Sequence, residues 1–302
     1  MHFCTITTSD HYYKVFALCE SLRAFSDSFT LHVLVVERDL PHLIFPQLKK
    51  YVLNDLLCSD TAAKIIHKYQ RHTDRLRWSL KPVFMKHILE KENAEAVIYL
   101  DNDLYFFDDY RFLFDYFNEH TFLLTPHHYE RSPHQRQNML EANYRIGLFN
   151  AGFVGARRDA ADTLQWWAEC CLYRCERNPL RGLYDDQKYL DLVPVMDTDA
   201  LIITHRGCNV AGWNRVVCER RQINGQTLIN GRYPIVFIHF NSSTIREIEQ
   251  GNDPLLTSYY ERYFQVLRKY KRELRKHHII YHEKWIDALK FKIWKLATKV
   301  GV

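Results

Sequence analysis

Two aspartates follow directly after a short apolar run, at the point where a buried strand is expected to end. Residues 96–100 are apolar, and Asp101, Asn102 and Asp103 come next. Side chains spaced i and i+2 on a strand point to the same side, so the two carboxylates repel each other unless a cation lies between them. Hard divalent ions take oxygen ligands and keep positions open for substrate phosphates. The spacing therefore predicts a metal that holds a diphosphate, with a solvated turn as the alternative.

The composition of the chain is that of a globular protein with a sizeable core. Of its 302 residues, 47% are hydrophobic and 25% are charged. No apolar stretch reaches the roughly 18 residues that span a bilayer, and the N-terminus lacks the basic-then-apolar layout of a signal peptide. The eight cysteines are scattered without Cys-x-x-Cys spacing, so we expect free thiols and a cytoplasmic location.

The net charge of +5 is concentrated near the C-terminus. Residues 268–299 contain eleven Lys or Arg against three acids, and apolar residues recur there at helical spacing. Such basic amphipathic helices either dock on the anionic inner face of a membrane or pack on the protein or a second subunit. We expect no nucleic-acid partner, because the run lacks a recognised binding fold. The chain therefore divides into residues 1–245 and the C-terminal basic helices of residues 246–302.

Apolar strands alternate with helical segments along the first 245 residues. Strands are predicted at 3–7, 30–37, 96–101, 122–125, 149–155, 201–204 and 235–240. This alternation predicts an α/β fold with a mostly parallel sheet flanked by helices. Ligands bind such sheets beyond the carboxyl ends of the strands, where Asp101, Asp103, Asn150, Gly152 and His239 can meet.

Six short motifs along the chain combine residues that are able to bind a metal, a phosphate or a sugar. They are Thr7-Thr8-Ser9-Asp10, Trp78-Ser79-Leu80-Lys81-Pro82, Tyr99-Leu100-Asp101-Asn102-Asp103, Phe149-Asn150-Ala151-Gly152-Phe153, Tyr184-Asp185-Asp186-Gln187 and His239-Phe240-Asn241. With them the chain resembles nucleotide-sugar glycosyltransferases of the GT-A (Rossmann-like) fold, and it is similar to glycosyltransferase family eight and related bacterial sugar transferases. The resemblance implies transfer of a sugar from a UDP-sugar to a glycan or lipid-linked acceptor.

The resemblance also assigns roles on the donor side. Asp101 and Asp103 would hold Mn²⁺ or Mg²⁺ with His239 as a third ligand, and the alternative for His239 is a buried histidine at a strand end. Arg77 and Lys81 would contact phosphate or base, the alternative for each being a solvated cation at a helix start. The donor-binding residues implied in full are Thr7, Thr8, Asp10, Arg77, Lys81, Asn102 and Gly152.

On the sugar side, Asn150 would hydrogen-bond a hydroxyl and Gly152 would let the backbone approach the sugar, unless this glycine only marks a strand bulge. Asp185, Asp186 and Gln187 resemble the residues that border the donor sugar, or they cap the helix that follows. The resemblance favours a retaining reaction. An inverting reaction needs a carboxylate base, for which Asp185 or Asp186 is the candidate.

Two segments depart from family eight. Residues 239–243 lack the ending His-x-x-Gly-x-x-Lys-Pro-Trp, so the lysine that clamps the diphosphate in that family is missing. The segment 209–214, Asn-Val-Ala-Gly-Trp-Asn, is not a family-eight element. Its Trp and Asn suit stacking on and hydrogen bonding to an acceptor sugar, and the alternative is a turn with one buried Trp.

Three other functions place two acids in this pattern. Haloacid dehalogenase-type phosphatases require Thr or Val where this chain has Tyr105, and calcium loops require glycine where it has Phe106. A non-catalytic carbohydrate-binding protein on the same fold stays open, although the intact Asp101, Asp103 and His239 count against it.

Overall fold

The computed structural model describes residues 1–37 and 44–276. The strands in these ranges are β1 (His2–Thr7), β2 (Thr30–Val35), β3 (Leu48–Val52), β4 (Ala96–Leu100), β5 (Leu104–Phe106), β6 (Phe122–Pro126), β7 (Phe149–Arg157), β8 (Glu176–Asn178), β9 (Leu183–Asp185), β10 (Leu201–Ile202), β11 (Arg220–Ile223), β12 (Gln226–Ile229), β13 (Tyr233–Pro234) and β14 (Phe237–His239). The α-helices are α1 (Tyr12–Arg23), α2 (Asp60–Tyr69), α3 (Thr73–Ser79), α4 (Lys81–Lys91), α5 (Phe112–Asp115), α6 (Gln137–Arg145), α7 (Ala161–Tyr173), α8 (Val193–Met196), α9 (Ser242–Glu249) and α10 (Thr257–Lys276).

Seven strands form the central sheet, in the order β10-β6-β7-β4-β1-β2-β3. The β1–β2, β2–β3, β1–β4 and β6–β10 pairs are parallel, whereas β7 runs antiparallel to both of its neighbours. The predicted mostly parallel α/β sheet is therefore confirmed. Because β7 is reversed, its first residues lie at the same edge of the sheet as the end of β4, which brings Asn150 and Gly152 to Asp101.

The last predicted strand is not part of this sheet, which corrects the sequence-based layout. Only Phe237–His239 is extended as a strand, and it pairs antiparallel with β5, the short strand that follows Asp103. Strand β5 was not predicted, because only a turn of three residues separates it from β4. The position of His239 therefore depends on a second, two-stranded sheet.

Helices cover both faces of the central sheet. Alternate side chains of its strands point to opposite faces and pack into two separate hydrophobic cores. On one face Phe3 packs with residues of α1 and α10, and on the other Cys4 packs with residues of α4 and α7. Helix α4 begins at Lys81 with Pro82 in its first turn, as the sequence predicts. Proline suits this position because it has no backbone N–H, and an N–H in the first turn would have no acceptor within the helix. These cores fix the strand ends that carry the site.

Helix α10 packs on α1. Its residues Tyr263, Leu267, Tyr270 and Leu274 are buried, and the ammonium of Lys269 is 2.6 Å from Glu20 Oε2. This part of the C-terminal segment therefore covers the core. The second predicted amphipathic helix, at 286–300, lies outside the described residues, and the division of the chain at residue 245 stays a prediction.

No helix in the described ranges is both long and apolar enough to cross a membrane. Each of the eight cysteines lies in those ranges and has a free thiol.

Candidate active site

A cleft of about 540 Å³ opens beside the end of β4, and Asp101 and Asp103 line it. The carboxylate of Asp101 is held by its own strand, because the Tyr99 hydroxyl donates to its Oδ1 at 2.9 Å. The backbone N–H of Asp101 donates to the Gly152 carbonyl at 2.7 Å, and β4 is buried along its whole length. The two carboxylates therefore lie at a cavity, in a partly buried turn that the buried strand β4 holds in place.

His239 meets Asp103 because β14 pairs with β5. In this register His239 lies opposite Leu104, and the Phe240 N–H donates to the carbonyl of Asp103 at 2.9 Å. Nε2 of His239 is 3.1 Å from Oδ1 of Asp103. One ligand atom from each of Asp101, Asp103 and His239 lies within 4.8 Å of the other two. The three predicted metal ligands are therefore brought together.

Two further observations show that this cluster fits a divalent ion. Nδ1 of His239 is buried and has no hydrogen-bond partner among the described residues, so the ring is not fixed by a second hydrogen bond. A Cβ atom at Gly152 would lie 2.6 Å from Asn150 Oδ1, 2.7 Å from His239 Cε1 and 2.8 Å from Asp101 Oδ2. Glycine therefore keeps open the space between the ligands. Their carboxylate oxygens suit Mn²⁺ or Mg²⁺.

Lys81 is buried at the side of the cleft and holds two acids at once. Its ammonium is 3.4 Å from Asp101 Oδ1 and 3.1 Å from Asp186 Oδ2, and it donates to the carbonyl of Ala151 at 3.0 Å. Lys81 is thus not a solvated cation at a helix start. Burial alone would lower the pKa of Lys81, but the two carboxylates outweigh it and the pKa is raised. Burial raises the pKa of Asp186 to about 6.

Asp185 lines the same cleft in a strained backbone conformation. Its φ of +51° lies in the left-handed region that few residues other than glycine adopt. Arg177 Nε donates to Asp185 Oδ2 at 2.6 Å, while Oδ1 is buried and has no hydrogen-bond partner in the described part of the chain. The guanidinium of Arg177 lies 5.3 Å from the ring centroid of Trp78 and 4.9 Å from that of Tyr184. Asp186 occupies the N-cap of the following 3-10 turn, but its side chain makes no capping hydrogen bond.

Asn150 and Gln187 hold the backbone of the cleft wall. Asn150 Oδ1 accepts from the Gly152 N–H at 2.7 Å, and Gln187 Oε1 accepts from the Ala151 N–H at 3.3 Å. Asn150 Nδ2 lies 3.2 Å from Nε2 of His127, whose Nδ1 is 3.0 Å from a backbone carbonyl. Burial lowers the pKa of His127 to about 3, so its ring is neutral and accepts from Asn150. The Asn-Ala-Gly segment is therefore shaped by side-chain hydrogen bonds.

A second cavity of about 180 Å³ adjoins the cleft and shares Trp78, Asp101 and Asp103 with it. Arg77 and Asn102 also line this cavity. The guanidinium of Arg77 is 2.6 Å from an oxygen of Asp74 on the same helix. The two cavities thus meet at the carboxylates, with polar groups on the walls of the smaller one.

The segment after β1 supports the smaller cavity from behind. Thr7 accepts a hydrogen bond from Asn102 at 3.1 Å, and the Thr8 hydroxyl is 2.9 Å from Nδ1 of His11, which lines the cavity. Asp10 is half-buried in the turn between these residues. Contact of Thr7, Thr8 and Asp10 with a donor base therefore stays a prediction.

In the loop 209–214, Trp213 faces the cleft, whereas Asn214 is buried within the loop. Trp213 is half-buried and lines the cleft, and its indole N–H donates to the carbonyl of His127 at 3.0 Å. Asn214 is buried, accepts from the Ala211 N–H at 3.1 Å and donates to the Asn209 carbonyl at 2.8 Å. The expectation that an Asn of this loop binds an acceptor sugar is wrong for Asn214, because its polar atoms close the loop itself.

Four residues of the site were not singled out from the sequence. Tyr99 shares a strand face with Asp101 at i+2, so the same spacing rule could have found it. Lys14 lines the smaller cavity with its ammonium 4.0 Å from Asp103 Oδ2. His127 reaches its partners through the packing of distant segments, whereas Arg177 meets Asp185 within the β8–β9 hairpin, which the sequence analysis did not predict.

Comparison with other proteins finds two relatives from Bacillus subtilis (strain 168). The chain is 30% identical over 258 residues to the uncharacterized protein YfnD, and the alignment covers 81% of this chain and 78% of YfnD. It is 26% identical over 296 residues to the uncharacterized protein YfnF, and the alignment covers 94% of each of the two chains. No family model matches the sequence.

Among solved structures, the apo form of mouse xyloside xylosyltransferase 1 superimposes with a TM-score of 0.50. The match has 16% sequence identity and covers 80% of this chain and 98% of the mouse protein. This likeness confirms the expected GT-A fold.

Proposed function

We propose that this chain, which belongs to the family of Bacillus subtilis YfnD and has the GT-A fold, is a metal-dependent glycosyltransferase of the family-eight type. The observation that carries the proposal is the cluster of Asp101, Asp103 and His239 where a larger cleft meets a smaller polar cavity. A nucleotide sugar has this division, with a diphosphate between a nucleoside and a sugar. We propose a UDP-sugar as the donor and a glycan or lipid-linked glycan as the acceptor.

Asp101, Asp103 and His239 would hold the ion, which is Mn²⁺ or Mg²⁺. When bound, such an ion neutralises the negative charge that develops on a departing diphosphate. Lys81 positions the first of these ligands, because its buried ammonium fixes Asp101 and Asp186 in one arrangement. Gly152 keeps the space beside the ligands clear, so that a sugar can approach the backbone at this point.

Transfer with retention of configuration is supported by the ion pairs that the carboxylates of Asp185 and Asp186 already form. Asp186 is buried against Lys81, and one oxygen of Asp185 is paired with Arg177. A general base needs a carboxylate oxygen within reach of the acceptor hydroxyl. Oδ1 of Asp185 has neither a hydrogen bond nor an ion pair with the described residues, whereas Asp186 is paired with Lys81, so Asp185 is the base if the reaction inverts. Proton NMR of the first product formed distinguishes the two outcomes by the anomeric coupling constant.

Thermal unfolding tests the proposed function directly. The full chain is heated with UDP-glucose, UDP-galactose or UDP-N-acetylglucosamine, each with and without Mn²⁺, and with GDP-mannose as the mismatched nucleotide. We expect at least one UDP-sugar to raise Tm only when Mn²⁺ is present, because ligands that bind the folded state stabilise it by mass action. The same sugar should then be hydrolysed slowly with Mn²⁺. If no nucleotide sugar gives a Mn²⁺-dependent shift or hydrolysis, the proposal is wrong.

The cytoplasmic location and the docking of the basic C-terminus on an anionic membrane are part of the same proposal. Sedimentation with vesicles that contain phosphatidylglycerol tests them, using the full chain and a chain that ends after residue 281. Binding that is lost in high salt and lost on truncation supports docking by electrostatic attraction. If neither protein sediments with vesicles, the tail does not bind the membrane.

A further inference from the structure

The cleft does not end at Trp213. A further cavity of about 380 Å³ lies past the indole and shares Asn138, Met139, Trp213 and Ser243 with the cleft. The shared residues come from three separate places in the chain, namely α6, the 209–214 loop and the start of α9. The two spaces therefore adjoin, and Trp213 is part of the wall of both.

Trp213 is held in a fixed orientation. Its indole N–H donates to the carbonyl of His127, and its ring lies 5.7 Å from the His127 ring and 5.4 Å from the His239 ring, centroid to centroid. The loop behind it is braced by Arg220, whose guanidinium donates to the Ala211 carbonyl at 2.7 Å and lies 3.1 Å from Asp253. The indole is thus a preformed wall between the metal-ligand cluster and the further cavity.

The further cavity, which we call the outer compartment, has a lining suited to a sugar. It is lined by Arg136, Asn138, Met139, Gly212, Trp213, Ser243 and Glu247. Its large apolar side chains are Met139 and Trp213, and its other side chains are polar or charged. An aromatic or apolar surface with polar groups that converge on it is typical of a small-molecule site. Carboxylate, guanidinium and amide groups bind hydroxyls as acceptors and donors.

Glu247 is placed at the outer compartment by close packing. A Cβ atom at Gly212 would lie 3.1 Å from Glu247 Cγ and 3.1 Å from Thr244 Cα, so glycine lets α9 lie this close to the loop without a displacement of either. The Gly212 N–H donates to the Thr244 hydroxyl at 3.0 Å, which joins the loop to the helix. The side chain of Glu247 is half-buried and forms no ion pair with any described residue. Its carboxylate is therefore available to a ligand.

We propose that the acceptor is a glycan of at least two sugar units, and that the outer compartment binds the second unit. The inference rests on the proposed function, because it takes the metal-ligand cluster as the point of transfer. The first unit lies on the cleft side of Trp213, next to His239. The second unit lies beyond the indole, where Glu247 accepts hydrogen bonds from its hydroxyls.

Matched acceptor pairs test this assignment. Each pair has the same terminal sugar: p-nitrophenyl β-glucoside and cellobioside, α-glucoside and maltoside, β-galactoside and lactoside, and N-acetyl-β-glucosaminide and chitobioside. The donor is the UDP-sugar that shows Mn²⁺-dependent hydrolysis. We expect the disaccharide of at least one pair to have a kcat/KM about tenfold above its monosaccharide, which corresponds to about 1.4 kcal/mol.

Two variants on α9 show whether Glu247 is responsible. Glu247→Ala should lower the disaccharide-to-monosaccharide ratio of kcat/KM about tenfold, and Glu247→Gln should restore part of it. Arg246→Ala, the matched control at the neighbouring exposed position, should leave the ratio as it is. Equal use of both members of every pair, use of neither member, or an unchanged ratio in Glu247→Ala overturns the inference. Intact Mn²⁺-dependent hydrolysis in those cases shows that the proposed function itself still holds.

Discussion

Two buried ion pairs in this protein have similar burial and geometry but different surroundings. Lys81 is 3.1 Å from Asp186, Arg220 is 3.1 Å from Asp253, and the side chains of all four are almost fully buried. The Lys81 pair borders a cleft and shares its cation with Asp101, a candidate metal ligand. Neither member of the Arg220 pair lines the cleft, and Arg220 also donates to the carbonyls of Ala211 and Cys218.

The comparison separates two uses of the same chemistry. Arg220 stabilises the loop that contains Ala211. Lys81 instead fixes the carboxylates of Asp101 and Asp186, which line the cleft and are accessible to a ligand. Burial and pairing alone do not distinguish these roles, because both pairs need a partner for a buried charge. The presence of a cavity and of a third charged group does distinguish them. We therefore expect substitutions at the cleft to affect activity and substitutions at the brace to affect stability.

The largest expected effect on the cleft side is that of Asp103→Ala. Loss of one carboxylate ligand should lower Mn²⁺-dependent turnover at least about a thousandfold, or ~4 kcal/mol. The free energy of unfolding should change little, because no packed apolar group is removed. Hydrolysis of the UDP-sugar and urea unfolding measure the two quantities. Glu119→Ala, which removes an exposed acid, is the control, and a near-normal rate in Asp103→Ala would exclude the cluster from the mechanism.

The two ion pairs themselves can be compared by removing each cation. Arg220→Met and Lys81→Met should each lower the free energy of unfolding by about 3 kcal/mol, since each leaves an uncompensated buried acid. Folded Arg220→Met should keep its affinity for Mn²⁺, measured by calorimetry. Folded Lys81→Met should lose turnover at least about a hundredfold, because Asp101 and Asp186 lose the group that holds them. Equal turnover in the two variants contradicts the distinction.

Two glycines on β7 allow the same comparison between the cleft and the core, with a smaller expected effect. A Cβ atom at Gly152 would collide with Asn150, Asp101 and His239, and one at Gly155 would collide with Phe117 and Leu123 in the core. Gly152→Ala should lower the affinity for Mn²⁺ about 10- to 100-fold, as displaced ligands do. Gly155→Ala should lower Tm and leave that affinity unchanged. Calorimetric titration of both variants measures the effect, and unchanged binding in Gly152→Ala shows that the ligands tolerate the displacement.

The smallest expected effect concerns pH. Burial lowers the pKa of His127 in the cleft wall and of His32 in β2 to about 3, below the ordinary value of 6.5. The unfolded chain therefore binds more protons than the folded one between pH 6.5 and 3, so each histidine lowers stability as the pH falls through this range. Asp186 has a pKa raised to about 6 and acts in the opposite direction between pH 6 and 4.

Below pH 6 the effects of His127 and Asp186 on the free energy of unfolding largely cancel. The effect of His32 has no such opposing effect from Asp186, so it remains. We expect these three groups together to lower the free energy of unfolding by about 1.4 kcal/mol per pH unit between pH 6 and 5. Urea unfolding at pH 7, 6 and 5 measures this dependence. His32→Asn should reduce the dependence by about 1.4 kcal/mol per pH unit. Burial also lowers the pKa of His128 to about 3 and that of His11 to about 4, so their contributions remain in this variant. His67→Asn at an exposed position should leave the dependence unchanged. A dependence that persists unchanged in His32→Asn assigns it to other groups.

The sequence by itself determined the features that depend on neighbouring residues. The strand formed by the apolar run before Asp101 and the position of Pro82 in the first turn of α4 each follow from local rules, and the structure has them as predicted. Asp101 and Asp103 were expected on one side of that strand, but they lie just beyond it, in the turn to β5. The alternation of strands and helices likewise gave the mostly parallel sheet, because periodicity reports which face of an element is buried.

The tertiary structure alone decided which groups face one another at the site. His239 reaches Asp103 through the β5–β14 pairing, which the sequence layout did not contain. Lys81 is buried against Asp186, Arg177 pairs with Asp185, and Asn214 closes its own loop instead of facing a sugar. The reason is that burial and charge pairing depend on which segments pack together and on the conformation of each turn, as in the β8–β9 hairpin that joins Arg177 to Asp185. A residue's type fixes what it can bind, and only packing fixes which partner comes within reach.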